Sequence, residues 1–187
     1  MNVSFQITSA TTQDFFGHWS ETYRYANEDK YLRNIGKSLT EQSRLELFEW
    51  KNGSSISAAK RVSIESNYPL VFPEDARARY LDHQKPGGAI WNIFYLHCID
   101  HERWPIFDQH TYRAMHFMLT GKIVEIGLTS KQKYASYLNE YIPFISRFSS
   151  AGGRKVDKAL FSFGQFLKLA KPYTCGACAL THQICYL

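Results

Sequence analysis

The chain has 187 residues, a formal charge of +5 and an isoelectric point near 9.0, with hydrophobic residues at 44% and aromatics at 16%. That length suits one domain, or one domain with a short appendage, and the apolar share is ample for a core. No apolar run approaches the roughly 18 residues of a membrane span, so a membrane partner is not expected. Met1 to Ala10 has neither a basic start nor an apolar stretch of signal-peptide type, so an intracellular, unsecreted protein with reduced cysteines is expected.

The positive charge is uneven. Between Gly121 and Lys171 nine cations face three anions, whereas Met1 to Trp50 holds five cations and seven anions. A basic C-terminal half fits a polyanionic partner; a solvated helix face reads equally well.

Helix signals dominate in chain order. Thr11 with Asp14 reads as a capping box ahead of Phe15, Phe16 and Trp19. Ser38 with Glu41 reads as another, opening a helix over Leu39 to Lys51 that Asn52-Gly53 stops. Ser55 or Ser57 starts a short helix through Ile64. Pro73 with Glu74 and Asp75 starts one that runs to about His83. Lys85-Pro86-Gly87-Gly88 breaks it, and Ala89 to Ile99 is apolar nearly all round, as a buried central helix should be. After a loop from Asp100 to Pro105, Asp108 is placed to cap a helix through Leu119 that Gly121 ends. Ser130 to Phe148 reads as a helix bent at Pro143. Gly152-Gly153 precedes a last helix over Val156 to Leu169. Short strands are conceivable at Val62 to Glu65 and Lys122 to Ile126. The expectation is an all-α, compact helical domain over residues 1–171 with a helix-hairpin-helix and little or no sheet, followed by a cysteine-containing tail over 172–187.

Two features carry candidate chemistry. The first is the glycine turn at Lys85 to Gly88, whose glycines allow close backbone approach and whose following helix start suits a phosphate. The second is Trp104-Pro105-Ile106-Phe107-Asp108-Gln109-His110, which delivers an acid to a helix start about twenty residues downstream. Together they resemble the helix-hairpin-helix DNA glycosylases, most closely the 8-oxoguanine glycosylase branch, over roughly residues 73–168. In that superfamily a glycine-rich hairpin grips the DNA backbone, and an apolar-Asp-x-His/Asn pattern carries an essential Asp.

The resemblance implies DNA as partner and excision of a damaged or modified base, with an oxidised purine expected. Asp108 would be catalytic. Lys85, Gly87, Gly88, Lys155 and Lys158 would bind the DNA backbone, while His110, Trp104 and Phe163 are base-pocket candidates. Arg154 to Lys168 would be the helix closing that pocket. The chain also departs from the family. Its hairpin lacks Leu-Pro-Gly-Val-Gly, and the lysine nucleophile of bifunctional members aligns with Ala89. Water would then be the nucleophile, or a lysine such as Lys85 or Lys60 would be borrowed, or the chain would not catalyse. A non-catalytic helix-hairpin-helix DNA-binding module and a basic protein-interaction domain are the alternatives. On local sequence alone Asp108 is an ordinary helix cap and Gly87-Gly88 an ordinary turn.

Cys175, Cys178, His182 and Cys185 put four soft ligands within eleven residues, enough for tetrahedral zinc in principle. No second half of a zinc ribbon accompanies them, and no cofactor is expected.

Overall fold

The computed structural model describes residues 6–71, 74–171 and 181–184. The protein is mostly helical, as the sequence predicts. The sheet is a short parallel pairing of β1 (Gln6–Ser9) with β2 (Thr181–Ile184), with Gln6 opposite Thr181 and Ser9 opposite Ile184. Among the described residues, no helix is long and apolar enough to cross a membrane. The chain groups into two compact units.

The first unit comprises Met1–Arg24, Phe107–Gly127 and Ser136–Leu187. Its helices are α1 (Thr12–Glu21), α7 (Gln109–Thr120), α9 (Ile142–Ser146) and α10 (Gly153–Ala170). Thr11 caps α1 by accepting from the Asp14 amide, as expected. Val156, Ala159, Leu160, Phe163, Gly164 and Leu167 recur at helical spacing along α10 and are buried, giving α10 one continuous apolar stripe. Phe163 is 0% exposed, its ring centroid 5.1 Å from Phe15, 4.9 Å from Trp19 and 5.6 Å from Phe117.

The tightest approach in this unit is at Gly164. A Cβ there would collide with the backbone of His110, so glycine lets the backbones of α10 and α7 nearly touch. Arg113, 2% exposed, pins the crossing: Nη1 donates to the Gly164 carbonyl at 2.9 Å and Nη2 to Glu125 Oε2 at 2.8 Å. Burial opposes the charge on Glu125, but hydrogen bonds from Arg113 and Lys171 outweigh it and hold its carboxyl below the usual range.

The second unit comprises Tyr25–Ile106 and Leu128–Ala135. It holds α2 (Glu28–Asn34), α3 (Glu41–Asn52), α4 (Ala58–Asn67), α5 (Ala76–Tyr80), α6 (Ala89–Ile99) and nearly all of α8 (Ser130–Ser136). α6 has the bounds its composition predicts and is buried from Asn92 through Cys98. His97, inside it, bridges Tyr31 Oη at 2.9 Å and the Trp104 carbonyl at 2.7 Å. This imidazole therefore ties α2 and the loop after α6 to the central helix.

Local expectations need correction in four places. The box opening α3 is Thr40 with Ser43, two residues later than Ser38 with Glu41, because the Thr40 hydroxyl accepts from the Ser43 amide and the Ser43 hydroxyl from the Thr40 amide. Val62 to Glu65 is helical within α4, which Ser57 caps. Lys122 to Ile126 forms no regular element; the Ile126 amide donates instead to Gln109 Oε1 at 3.1 Å. The helix after Pro73 is shorter than expected, ending at Tyr80, and Pro73 itself lies outside the described residues. The predicted bend at Pro143 takes the form of a wide π turn, Tyr137–Tyr141, with the Ile142 amide bonded five residues back to Tyr137. The widened turn accommodates a proline that cannot donate to the ladder.

Because the Gly164 contact is backbone against backbone, no side-chain motion can relieve a new methyl group. Gly164→Ala should destabilise the protein by about 2 kcal/mol or more despite its better helix propensity. Thermal unfolding followed by circular dichroism checks this; an unchanged midpoint would show that α7 and α10 can separate freely.

Candidate functional site

Asp108 is an N-cap. Its backbone is extended, and its Oδ1 accepts from the His110 amide at 2.8 Å and the Thr111 amide at 3.1 Å. Thr111 completes the box, its hydroxyl accepting from the Asp108 amide at 3.0 Å. The bland reading of this residue is therefore correct as local structure. Asp108 is also half-buried, so the cap leaves part of the residue at the surface. The geometry presents a carboxylate clamped by two amides at the positive end of a twelve-residue helix.

The α7–α10 crossing sets a wall of rings and charges in the same unit. The His110 imidazole lies 4.9 Å from the Phe161 ring, and Phe161 lies 5.6 Å from Tyr23. Arg154 and Lys158, one turn apart on α10, sit 5.3 and 5.1 Å from the Tyr23 centroid. Arg154 also donates to Tyr23 Oη at 3.1 Å and pairs with Asp157. Burial lowers the His110 pKa and outweighs the pull of Asp108, so the ring is neutral at neutral pH. Arg113 Nη1 stands 3.3 Å from His110 Nδ1, and a guanidinium can only donate there, which also requires a neutral ring. Burial pushes Tyr141 well above its ordinary value, with Asp157 and Asp108 adding to the effect, so its hydroxyl stays protonated. Such a set offers positive charge and a fixed carboxylate, with His110 and Tyr23 as its partly exposed rings and Phe161 buried at 9% exposure.

In the second unit the glycine turn stands between α5 and α6. Asn92, fully buried, ties it down. Its amide nitrogen donates to the Pro86 carbonyl at 3.2 Å and to Tyr134 Oη at 2.9 Å, while its carbonyl oxygen accepts from Tyr68 Oη at 2.9 Å. A Cβ on Gly87 would strike Asn92 and come within 2.6 Å of the Tyr68 hydroxyl. Gly87 is thus required by the chain's own interior. Gly88, at φ +78°, has open space where a side chain would begin, and Lys85 is exposed.

The predicted site residues separate accordingly. Asp108, His110 and Lys158 fall along one wall of the first unit. Lys155 is on the same helix but approaches Gly17 of α1. Phe163 is a core residue with no surface to offer a base, and the ring of α10 that reaches His110 is Phe161. Trp104 belongs to the second unit, is 7% exposed and lies under the Arg103 guanidinium. Ala89 opens α6 and is buried. Of the proposed zinc ligands, Cys175, Cys178 and Cys185 lie outside the described residues, and His182 lies within β2. Among the described residues, no group of His, Cys, Asp or Glu is placed to hold a metal ion.

Sequence reasoning missed Tyr23 and Asp157. The Arg154, Asp157, Lys158, Phe161 spacing on α10 marks one helical face and carried a signal for Asp157. Nothing local announces Tyr23, which meets that face across 131 residues of chain. No family model, curated protein or solved structure matches the chain.

Capping and charge separate by substitution. Asp108→Asn keeps a good cap and should leave the unfolding midpoint nearly unchanged, whereas Asp108→Ala should cost about 1 kcal/mol. Equal losses in a denaturant titration of the two variants would show that the charge itself holds this turn.

Proposed function

We propose that the protein is a DNA glycosylase that swings a modified purine out of the duplex and releases it, with water as the nucleophile. The observation that carries this reading is the half-buried Asp108, its carboxylate fixed by two amides in the unit that carries the His110, Phe161, Tyr23 wall and its two cations. Breaking an N-glycosidic bond builds positive charge on the sugar, and a preorganised carboxylate stabilises it or activates the attacking water. An extruded base needs aromatic surface to replace its lost stacking. Arg154 and Lys158 supply charge for the phosphates. The lesion class rests on the resemblance of Pro105 to His110 to the 8-oxoguanine glycosylase pattern. Ala89, where bifunctional members carry lysine, favours water for the base-release step.

A non-catalytic DNA-binding module is the second reading, favoured by the capping bonds that already give Asp108 a structural task. The two diverge on one experiment: duplexes carrying a panel of oxidised and modified bases, incubated with the protein and then cleaved with alkali at abasic sites. Asp108→Asn should retain DNA binding and lose at least about 100-fold in base release. Binding should weaken steeply as salt rises. Undiminished base release by the variant would remove Asp108 from the mechanism, and no release from any substrate by the wild type would leave the binding module.

A further inference from the structure

Among the asparagines of the chain, Asn52 alone is followed by glycine. The amide of an asparagine side chain can be attacked by the backbone nitrogen of the next residue, and glycine, with no Cβ, hinders that approach least. Asn52 is the last residue of α3 and Gly53 its cap, so the pair stands at the corner where the chain turns toward α4. Gly53 is exposed and Asn52 half-buried, so water reaches the pair.

Each reacting group of the pair is engaged. The Gly53 amide donates to the Trp50 carbonyl at 2.9 Å, in the left-handed turn, φ +72°, that closes α3. Asn52 Nδ2 donates to the Ser54 carbonyl at 3.1 Å and to Ser54 Oγ at 3.0 Å. Asn52 Oδ1 accepts from Lys60 Nζ at 2.6 Å. An ammonium can only donate, which fixes the amide with its oxygen toward Lys60 and its nitrogen toward the turn. Lys60 is seated in turn with Nζ 4.0 Å from the centroid of the Trp91 indole, a contact that suits the charged form. A cation on α4 thus holds the side chain that ends α3. Ring closure requires that side chain to turn and the Gly53 nitrogen to leave the Trp50 carbonyl.

We propose that Asn52-Gly53 is a self-modification site latched by Lys60, converting through a cyclic imide to aspartate and isoaspartate when the α3–α4 corner opens. The Gly53 nitrogen gives up its proton and attacks Asn52 Cγ, forming an N–C bond. The Cγ–Nδ2 bond breaks, and Nδ2 takes that proton and leaves as ammonia. Water then opens the imide. Opening at the side-chain carbonyl gives aspartate, whose carboxylate lies beneath Lys60. Opening at the main-chain carbonyl gives isoaspartate, which routes the main chain through Cγ and lengthens it where α3 ends. No oxidant or reductant is consumed, and the conversion needs neither DNA nor any partner.

The test incubates the full chain at mildly alkaline pH, folded and in denaturant, and follows the peptide containing residues 52 and 53 by mass spectrometry. Replacement of ammonia by water changes its mass, and chromatography separates the two isomers. The expected result is conversion at least about tenfold slower in the folded chain than in denaturant, because only the open corner reacts. Lys60→Met, which keeps an apolar stem on the indole but cannot donate, should speed conversion of the folded chain at least about threefold and leave the rate in denaturant unchanged. Lys60→Arg keeps the donor and should stay slow. Circular dichroism confirms that both variants are folded. No conversion in denaturant would overturn the site, and equal rates in the folded and denatured wild type would overturn the gate. A folded Lys60→Met that converts no faster than the wild type would overturn the latch.

Discussion

The backbone contact at Gly164 is the constraint on which the first unit is built. Helices normally stand apart by the thickness of their side chains. Here one missing methyl group lets α10 press onto the His110 carbonyl, and Arg113 fills the crossing with hydrogen bonds to Gly164 and Glu125. The approach is closest near the start of α7, so the residues that open that helix are held against the middle of α10. Asp108 and His110 owe their surroundings to this crossing more than to their own loop. Charge placement follows the same geometry. Asp108 caps α7 at the helix end that favours negative charge, while Asp157, one turn further into α10, pairs with Arg154.

The second unit organises itself around a polar side chain. Asn92 is fully buried in a nearly all-apolar helix, a costly position unless its hydrogen-bonding groups are used. Pro86, Tyr134 and Tyr68 use them. The effect is to fasten a loop, a tyrosine from α8 and a tyrosine after α4 to one point of α6. Gly87 is then fixed by exclusion, since any side chain would displace that network. The turn is held from within, and its neighbour Gly88 is the glycine whose Cβ position remains open.

The two units were legible in the sequence to different degrees. Helix starts and stops that depend on neighbouring residues were readable: Thr11, Ser57, Asp108, Gly53 and Gly121 all act where short-range chemistry says they should. Ser38 failed because Thr40 offered an equally good hydroxyl two residues on, and local pattern cannot rank two competing caps. The helix read from Ser57 through Ile64 is present, and the strand also conceivable at Val62 is not, because β-branched residues in an exposed stretch follow their cap and their packing, not their propensity. The wall beside Asp108 was only half visible. Its α10 members share a helical face, but Tyr23 joins from the other end of the chain, and long-range pairing leaves no local trace. Phe163 and Phe161 are two residues apart on α10 and chemically identical; only the direction of the stripe separates the core ring from the one beside His110.

Capping and catalysis are often set against each other as explanations of an acidic residue at a helix start, yet the catalytic role proposed for Asp108 makes demands compatible with its cap. A cap needs an oxygen acceptor, which Asn or Ser supplies as well as Asp. Stabilising a developing cation needs a full negative charge whose position does not change during the reaction. The two amides that donate to Oδ1 remove the rotational freedom of the carboxylate before any substrate arrives, so the cap is itself the preorganising device. Under the proposed excision chemistry, a carboxylate so held would act by electrostatic stabilisation of charge on the sugar, the role that needs no movement of the residue during the reaction.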